Sequence, residues 1–174
     1  MNADVGRHAE LTPRMYNLDM SEARTDESGV IVTCGFCGQQ NRIAFAQLDR
    51  APRCGKCHKD LPKLNSTVDV SSATSFDALV NASPLPVLVD FWAPWCGPCL
   101  AVAPEIARVA ASEAGRLVVV KVNTEDLQNL AGRFNIRSIP TMALFAGGRE
   151  IGRTSGARPA PGIMQFVNQT LQQV

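Results

Sequence analysis

The chain has 174 residues, of which 45% are apolar and 19% charged, with a formal net charge of +1. This is the composition of a globular protein larger than one small domain, and it excludes recognition of nucleic acid or an acidic membrane surface by bulk charge. No run approaches the ~20 apolar residues of a membrane span, and the first thirty residues lack the apolar block of a secretory signal, so a cytoplasmic address is expected.

Residues 1–28 carry scattered charge, from Arg7, His8 and Glu10 to Asp26 and Glu27, with little apolar periodicity, and read as a disordered lead. Met20 opens a second candidate start inside it, leaving residues 1–19 as an upstream extension or an artefact. Residues 29–64 form a second unit, with two Cys-rich turns around Ile43, Phe45 and Leu48. That is too little apolar surface for an independent core, so a staple is required. A linker is expected near residues 62–67, and from residue 68 to 174 apolar strands alternate with amphipathic helices as in an α/β domain.

In that larger unit Val68 to Val70 supplies a first strand, and Phe76, Leu79 and Val80 mark a helix that ends before Pro84 and Pro86. Val87 to Phe91 reads as a buried strand. A helix is expected from Gly97 to Ala114 with Ala103, Ala107 and Ala110 on one face and a kink at Pro104. Leu117 to Val122 is a second buried strand, and Thr124 is the expected N-cap of a helix through Leu127, Leu130, Ala131 and Phe134. Thr141 to Phe145 and Glu150 to Thr154 flank a Gly147-Gly148 turn as a hairpin, and Ile163, Phe166, Val167, Thr170, Leu171 and Val174 form the stripe of a closing helix.

Cys96 falls where a strand gives way to a helix, with Pro98 suited to the first turn because its missing donor is not needed there. Unpaired N–H groups and the positive end of the helix dipole stabilise a thiolate, which is the attacking species in disulfide exchange. Cys99 lies one turn on and on the same side, so the pair can form and break one disulfide. Taken alone, such a pair also fits half a metal site or two inert thiols.

The runs Asp90-Phe91-Trp92-Ala93-Pro94-Trp95-Cys96-Gly97-Pro98-Cys99 and Ile136-Arg137-Ser138-Ile139-Pro140-Thr141 resemble the thioredoxin family, over about residues 68 to 174. The resemblance implies a thioredoxin fold, a central mixed sheet flanked by helices, with Cys96 attacking and Cys99 resolving. Asp90 resembles the family's buried proton acceptor and Lys121 the lysine near it. Pro140 resembles the cis-proline beside the disulfide, with Ile139 offering its backbone to an extended substrate and Trp95, Gly97, Pro98 and Gly156 completing the contact surface. By residue type alone Asp90 and Lys121 also fit solvated strand ends, and Pro140 an ordinary trans proline. Gly97-Pro98 resembles the reducing members of the family, and this implies protein disulfides as substrates and an NADPH-dependent thioredoxin reductase as the recycling partner. No bound organic cofactor and a monomer are expected. Leu100 departs from the lysine or arginine common there.

Cys34-Gly-Phe-Cys37 and Cys54-Gly-Lys-Cys57 are two knuckles separated by sixteen residues, a spacing suited to one zinc ion held by four thiolates. Cys54-Gly-Lys-Cys57-His58 also matches a haem-attachment pattern, which the paired first knuckle and the missing export signal argue against; a disulfide or thiol sensor is a third reading. A zinc ribbon ahead of a thioredoxin domain resembles the bacterial thioredoxin 2 subfamily. The ribbon lacks a basic excess with interleaved aromatics, which disfavours nucleic acid as its partner. A chaperone-like binding module and an oxidase or isomerase are the competing readings.

Overall fold

The structure is a computed structural model and describes residues 23–173. The lead expected over 1–28 falls outside the described residues as far as residue 22, as do Met20 and, at the other end, Val174. Where it is described, the lead reading is corrected. Ala23 is buried and Arg24–Thr25 form a strand, β1, because Thr25 points its hydroxyl into a pocket of hydroxyl partners that a free segment would not have.

The remaining strands are β2 (Gly29–Thr33), β3 (Gln40–Ala44), β4 (Val68–Asp69), β5 (Val87–Trp92), β6 (Val118–Asn123), β7 (Thr141–Ala146) and β8 (Arg149–Ser155). The helices are α1 (Ala73–Ala82), α2 (Gly97–Ser112), α3 (Gln128–Arg133) and α4 (Ala160–Leu171). The eight strands among the described residues belong to one sheet in the order β3-β2-β1-β4-β6-β5-β7-β8. β4, β6 and β5 are parallel, β7 and β8 antiparallel, and β1 is parallel to β4 but antiparallel to β2. The Cys-rich segment is therefore spliced into the larger sheet rather than tethered beside it. Its Val30, Val32, Ile43, Phe45 and Leu48 share one core with Val68, Phe76, Val89 and Phe145, which supplies the apolar surface the segment lacks.

Strand alternation divides the core between two faces. Val87, Val89 and Phe91 join Val118, Val120 and Val122 on the α1 face, where Phe76, Phe134 and Phe145 stack edge to face. Leu88, Val119, Met142 and Leu144 lie on the opposite face beneath α2 and α4. The side of α2 that packs there is Val102, Ile106, Val109 and Ala110, so Ala110 of the expected alanine stripe is buried while Ala107 is exposed and Ala103 half-buried. The branched residues win because each removes more apolar area from water than an alanine. Glu105 of α2 accepts the Ala160 N–H at 2.8 Å, which caps α4 from a neighbouring helix.

Thr124 does not cap a helix. Its N–H and hydroxyl both donate to the Trp92 carbonyl, at 2.9 and 3.1 Å, and residues 124–127 make a turn before α3 begins at Gln128. The hydroxyl satisfies the strand end instead of the helix start.

Candidate functional site

Cys96 is the N-cap of α2, in an extended backbone conformation, and its sulfur accepts the Cys99 N–H at 3.2 Å. Gly97 and Pro98 form the first turn, where no intrahelical donor is required. Cys96 and Cys99 are joined as a disulfide with their Cα atoms 5.2 Å apart, and both are almost fully buried. The helix N-terminus thus presents a backbone donor to the sulfur where negative charge develops on reduction.

Ile139-Pro140 is a cis peptide, and the Ile139 carbonyl lies 3.8 Å from the Cys96 sulfur. Gly156, at φ +91°, donates its N–H to the Pro140 carbonyl at 2.9 Å, so β8 delivers the glycine beside the proline. Trp95 is 67% exposed beside Cys96, and its indole N–H donates to Glu125 at 2.8 Å. Leu100 is also exposed. Sequence reasoning missed Glu125 as the group that fixes Trp95, because a contact 30 residues away leaves no local pattern.

Asp90 is 2% exposed in the middle of β5. Its Oδ1 has no hydrogen-bond partner among the described residues, and neither does the buried Trp92 indole nitrogen. Burial pushes the Asp90 carboxyl up to about 7, and the Lys121 charge offsets part of that rise. Lys121 pairs in register with Asp90 across β5 and β6, yet its ammonium makes an ion pair at 3.9 Å with Asp69 of β4 and stands 4.1 Å over the Trp92 ring. Sequence reasoning missed Asp69; the signal was a lone charge between the apolar Val68 and Val70.

The four remaining cysteines converge. The sulfurs of Cys34, Cys37, Cys54 and Cys57 all lie within 4.8 Å of one another, with the Cys34–Cys57 and Cys37–Cys54 pairs at 3.7 Å. A tetrahedral zinc with Zn–S bonds of ~2.3 Å requires sulfurs about 3.8 Å apart, so this donor set fits the ion in number, type and spacing. The two knuckles share one backbone form. The N–H of Gly38 returns to the Cys34 carbonyl at 2.9 Å and that of His58 to the Cys54 carbonyl at 3.0 Å, with left-handed φ of +71° and +58° at those positions. His58 is exposed. The Cys57 and Lys56 backbone N–H groups and the neighbouring thiols pull the Cys54 thiol below its ordinary value against its burial, while burial and hydrogen bonding to the other thiols push Cys57 up, so the four thiols share their protons. Asn41, which sequence reasoning passed over, accepts the Gly55 N–H at 2.9 Å and points its amide at the Cys54 sulfur at 3.7 Å.

Comparison with known proteins agrees with both halves of this geometry. Residues 66–169 match the thioredoxin family, and residues 33–59 match the N-terminal zinc ribbon described for thioredoxin 2. The chain is 39% identical to thioredoxin C-3 of Corynebacterium nephridii over 144 residues, covering 83% of this chain and 97% of that one. It is 46% identical to thioredoxin 1 of Chlorobaculum tepidum over 95 residues, or 55% and 94% of the two chains. A mutant thioredoxin from Halobacterium salinarum superposes with a TM-score of 0.56 at 26% identity, covering 62% of this chain and 92% of that one. Among the described residues no helix is long and apolar enough to cross a membrane. A helix-capping cysteine disulfide beside a cis-proline, on a sheet that matches this family over most of its length, makes the chain a member of the thioredoxin family and a thiol-disulfide oxidoreductase.

Proposed function

We propose that the chain is a protein-disulfide reductase working in the cytoplasm through Cys96 and Cys99. The observation that carries this reading is the Cys96 sulfur at the N-terminus of α2, accepting the Cys99 N–H at 3.2 Å, because that donor stabilises the thiolate that must attack. The Cys96 thiolate attacks one sulfur of the substrate disulfide, forming a mixed disulfide as the substrate S–S bond breaks, and the released sulfur takes a proton. Cys99 gives its proton to Asp90 and attacks the Cys96 sulfur. That step closes the Cys96–Cys99 disulfide and expels the second substrate sulfur, which is protonated in turn. Two electrons have passed to the substrate, and an NADPH-dependent thioredoxin reductase returns them.

A carboxyl held near 7 is suited to taking a proton at neutral pH and giving it back. Trp95, Gly97, Pro98 and Gly156 form the contact surface around the sulfurs, and the Ile139 carbonyl, 3.8 Å from the Cys96 sulfur, offers backbone pairing to an extended substrate segment. Cys34, Cys37, Cys54 and Cys57 hold one zinc ion, which would supply a rigid crosslink for a segment without a core of its own. The ribbon is accessory to the exchange reaction, and the chain works as a monomer.

Insulin reduction with NADPH and thioredoxin reductase tests the proposal. The parent protein should turn over and Cys96→Ser should not; equal turnover by both would overturn it. Metal analysis should return one zinc per chain, with Cys34→Ser losing zinc while keeping reductase activity.

A further inference from the structure

Four charged residues occupy one register row across four neighbouring strands. Arg24 of β1 pairs with Asp69 of β4, Asp69 with Lys121 of β6, and Lys121 with Asp90 of β5. Paired residues on adjacent strands share a face, and neighbouring strands are ~4.8 Å apart, so Lys121 stands between two carboxylates at similar backbone distance. Its ammonium is not shared equally. The ion pair goes to Asp69, at 3.9 Å, and the ammonium stands 4.1 Å over the Trp92 ring, while Asp90 Oδ1 has no hydrogen-bond partner among the described residues. We propose that Asp69 is a positioning residue that holds the Lys121 ammonium back from Asp90 and thereby sets how much of the Asp90 charge is compensated.

The surroundings of Asp90 leave Lys121 as the charge that decides this. From β7 the residue opposite is the apolar Met142, and along β5 the same face continues as Trp92. α2 packs on that face and brings Cys96 and Cys99 as titratable groups; its Glu105 and Arg108 pair with each other further along the helix, and α4 carries no charged residue. Beyond Lys121 the row continues only through Asp69 and the exposed Arg24. Asp69 is 54% exposed at its side chain against 23% for Lys121, so the pair stands at the edge of the covered face, where a small movement of β4 changes the partition. β4 is held on its outer side by β1, the strand that carries the Cys-rich segment, with the Asp69 N–H bonded to the Ala23 carbonyl at 2.9 Å. The row thus joins the ribbon's point of attachment to the buried acid.

The proposal rests on reading Asp90 as the proton acceptor, but its test does not use turnover. The Asp90 side-chain carbon is titrated by carboxyl NMR in the disulfide form of the full chain, where the active-site thiols do not titrate, with Asp90→Asn assigning the resonance. Asp69→Asn should lower the Asp90 midpoint by about one pH unit, because a freed ammonium moves toward the carboxylate and favours its charged form. Lys121→Gln should raise it. In the Lys121→Gln background, Asp69→Asn should have less than half its former effect, since only direct repulsion between the carboxylates is then left to remove. An unmoved midpoint in Asp69→Asn, or the same fall with and without Lys121, would overturn the proposal. Asp69→Ser gives the same reading should the asparagine variant fold poorly. Failure of the parent protein to reduce insulin, with the titration pattern intact, would count against the reductase assignment alone.

Discussion

The Thr25 hydroxyl lies 2.8 Å from that of Ser75, both buried, where β1 meets the N-terminus of α1. Ser75 and Ser72 form a reciprocal capping box there, and Thr25 also accepts the Ser71 N–H at 3.0 Å. Thr25→Val keeps the shape, leaves the Ser71 N–H without its acceptor and takes a hydroxyl partner from Ser75. It should cost about 1–3 kcal/mol by urea unfolding, the penalty for buried polar groups left without partners.

Asp90 gives the fold a pH dependence. Its carboxyl is held near 7 in the folded chain, above its ordinary value of 3.8, so the folded state binds the proton more tightly than the unfolded one. Its contribution to stability is complete below about pH 4 and is lost as pH rises through about 7, amounting to at most about 4 kcal/mol. Asp90→Asn should remove this slope and be more stable than the parent at pH 9. Denaturation of both at pH 5 and pH 9 measures it, and parallel pH profiles would contradict the burial argument.

Asn41 ties the second knuckle to β3 through Gly55 and the Cys54 sulfur. Asn41→Ala should weaken zinc binding by roughly 10–100-fold, the usual cost of losing a group that orients a ligand. Competition against a chromophoric chelator reads this directly, and reductase activity should be unchanged.

Two glycines should respond in opposite directions to alanine. A Cβ at Gly29 would stand 2.3 Å from the Ile43 carbonyl oxygen, a backbone atom of the paired strand. Gly29→Ala should therefore cost at least about 1–3 kcal/mol and loosen the β2–β3 hairpin. Gly132, inside α3, meets nothing within 4 Å, and Gly132→Ala should add about 0.5–1 kcal/mol through helix propensity. Thermal melts of the two variants separate these effects.

The catalytic half was legible because its chemistry and its period coincide. Val87 to Phe91 is apolar on both faces but for Asp90, which only a covered strand tolerates, and Pro98 placed the helix start beside Cys96. The cysteine knuckles were legible from spacing, since Cys-x-x-Cys closes a turn of one form wherever it occurs. Helix details were less so. Thr124 has the residue type of an N-cap, but the Trp92 carbonyl competed for its hydroxyl, and local pattern cannot see a partner 32 residues away. The alanines of α2 were chosen by spacing alone, whereas packing selected Val102 and Ile106 by size. β1 is two residues long and carries no periodicity, so its role as a splice depended on pairings with β2 and β4 that exist only in three dimensions.

β1 also has a consequence for solubility. Without it β4 would end the sheet with a row of unpaired amides and carbonyls, a template for strand addition by another chain. With β1 and the hairpin in place the outermost strand on that side is β3, whose Gln40, Asn41 and Arg42 are polar and largely exposed, with Arg42 held by Asp26. The ribbon therefore serves as an edge guard, replacing a short bare margin with one that discourages aggregation. A chain trimmed to begin at β4 would keep every residue of the redox site and lose that protection.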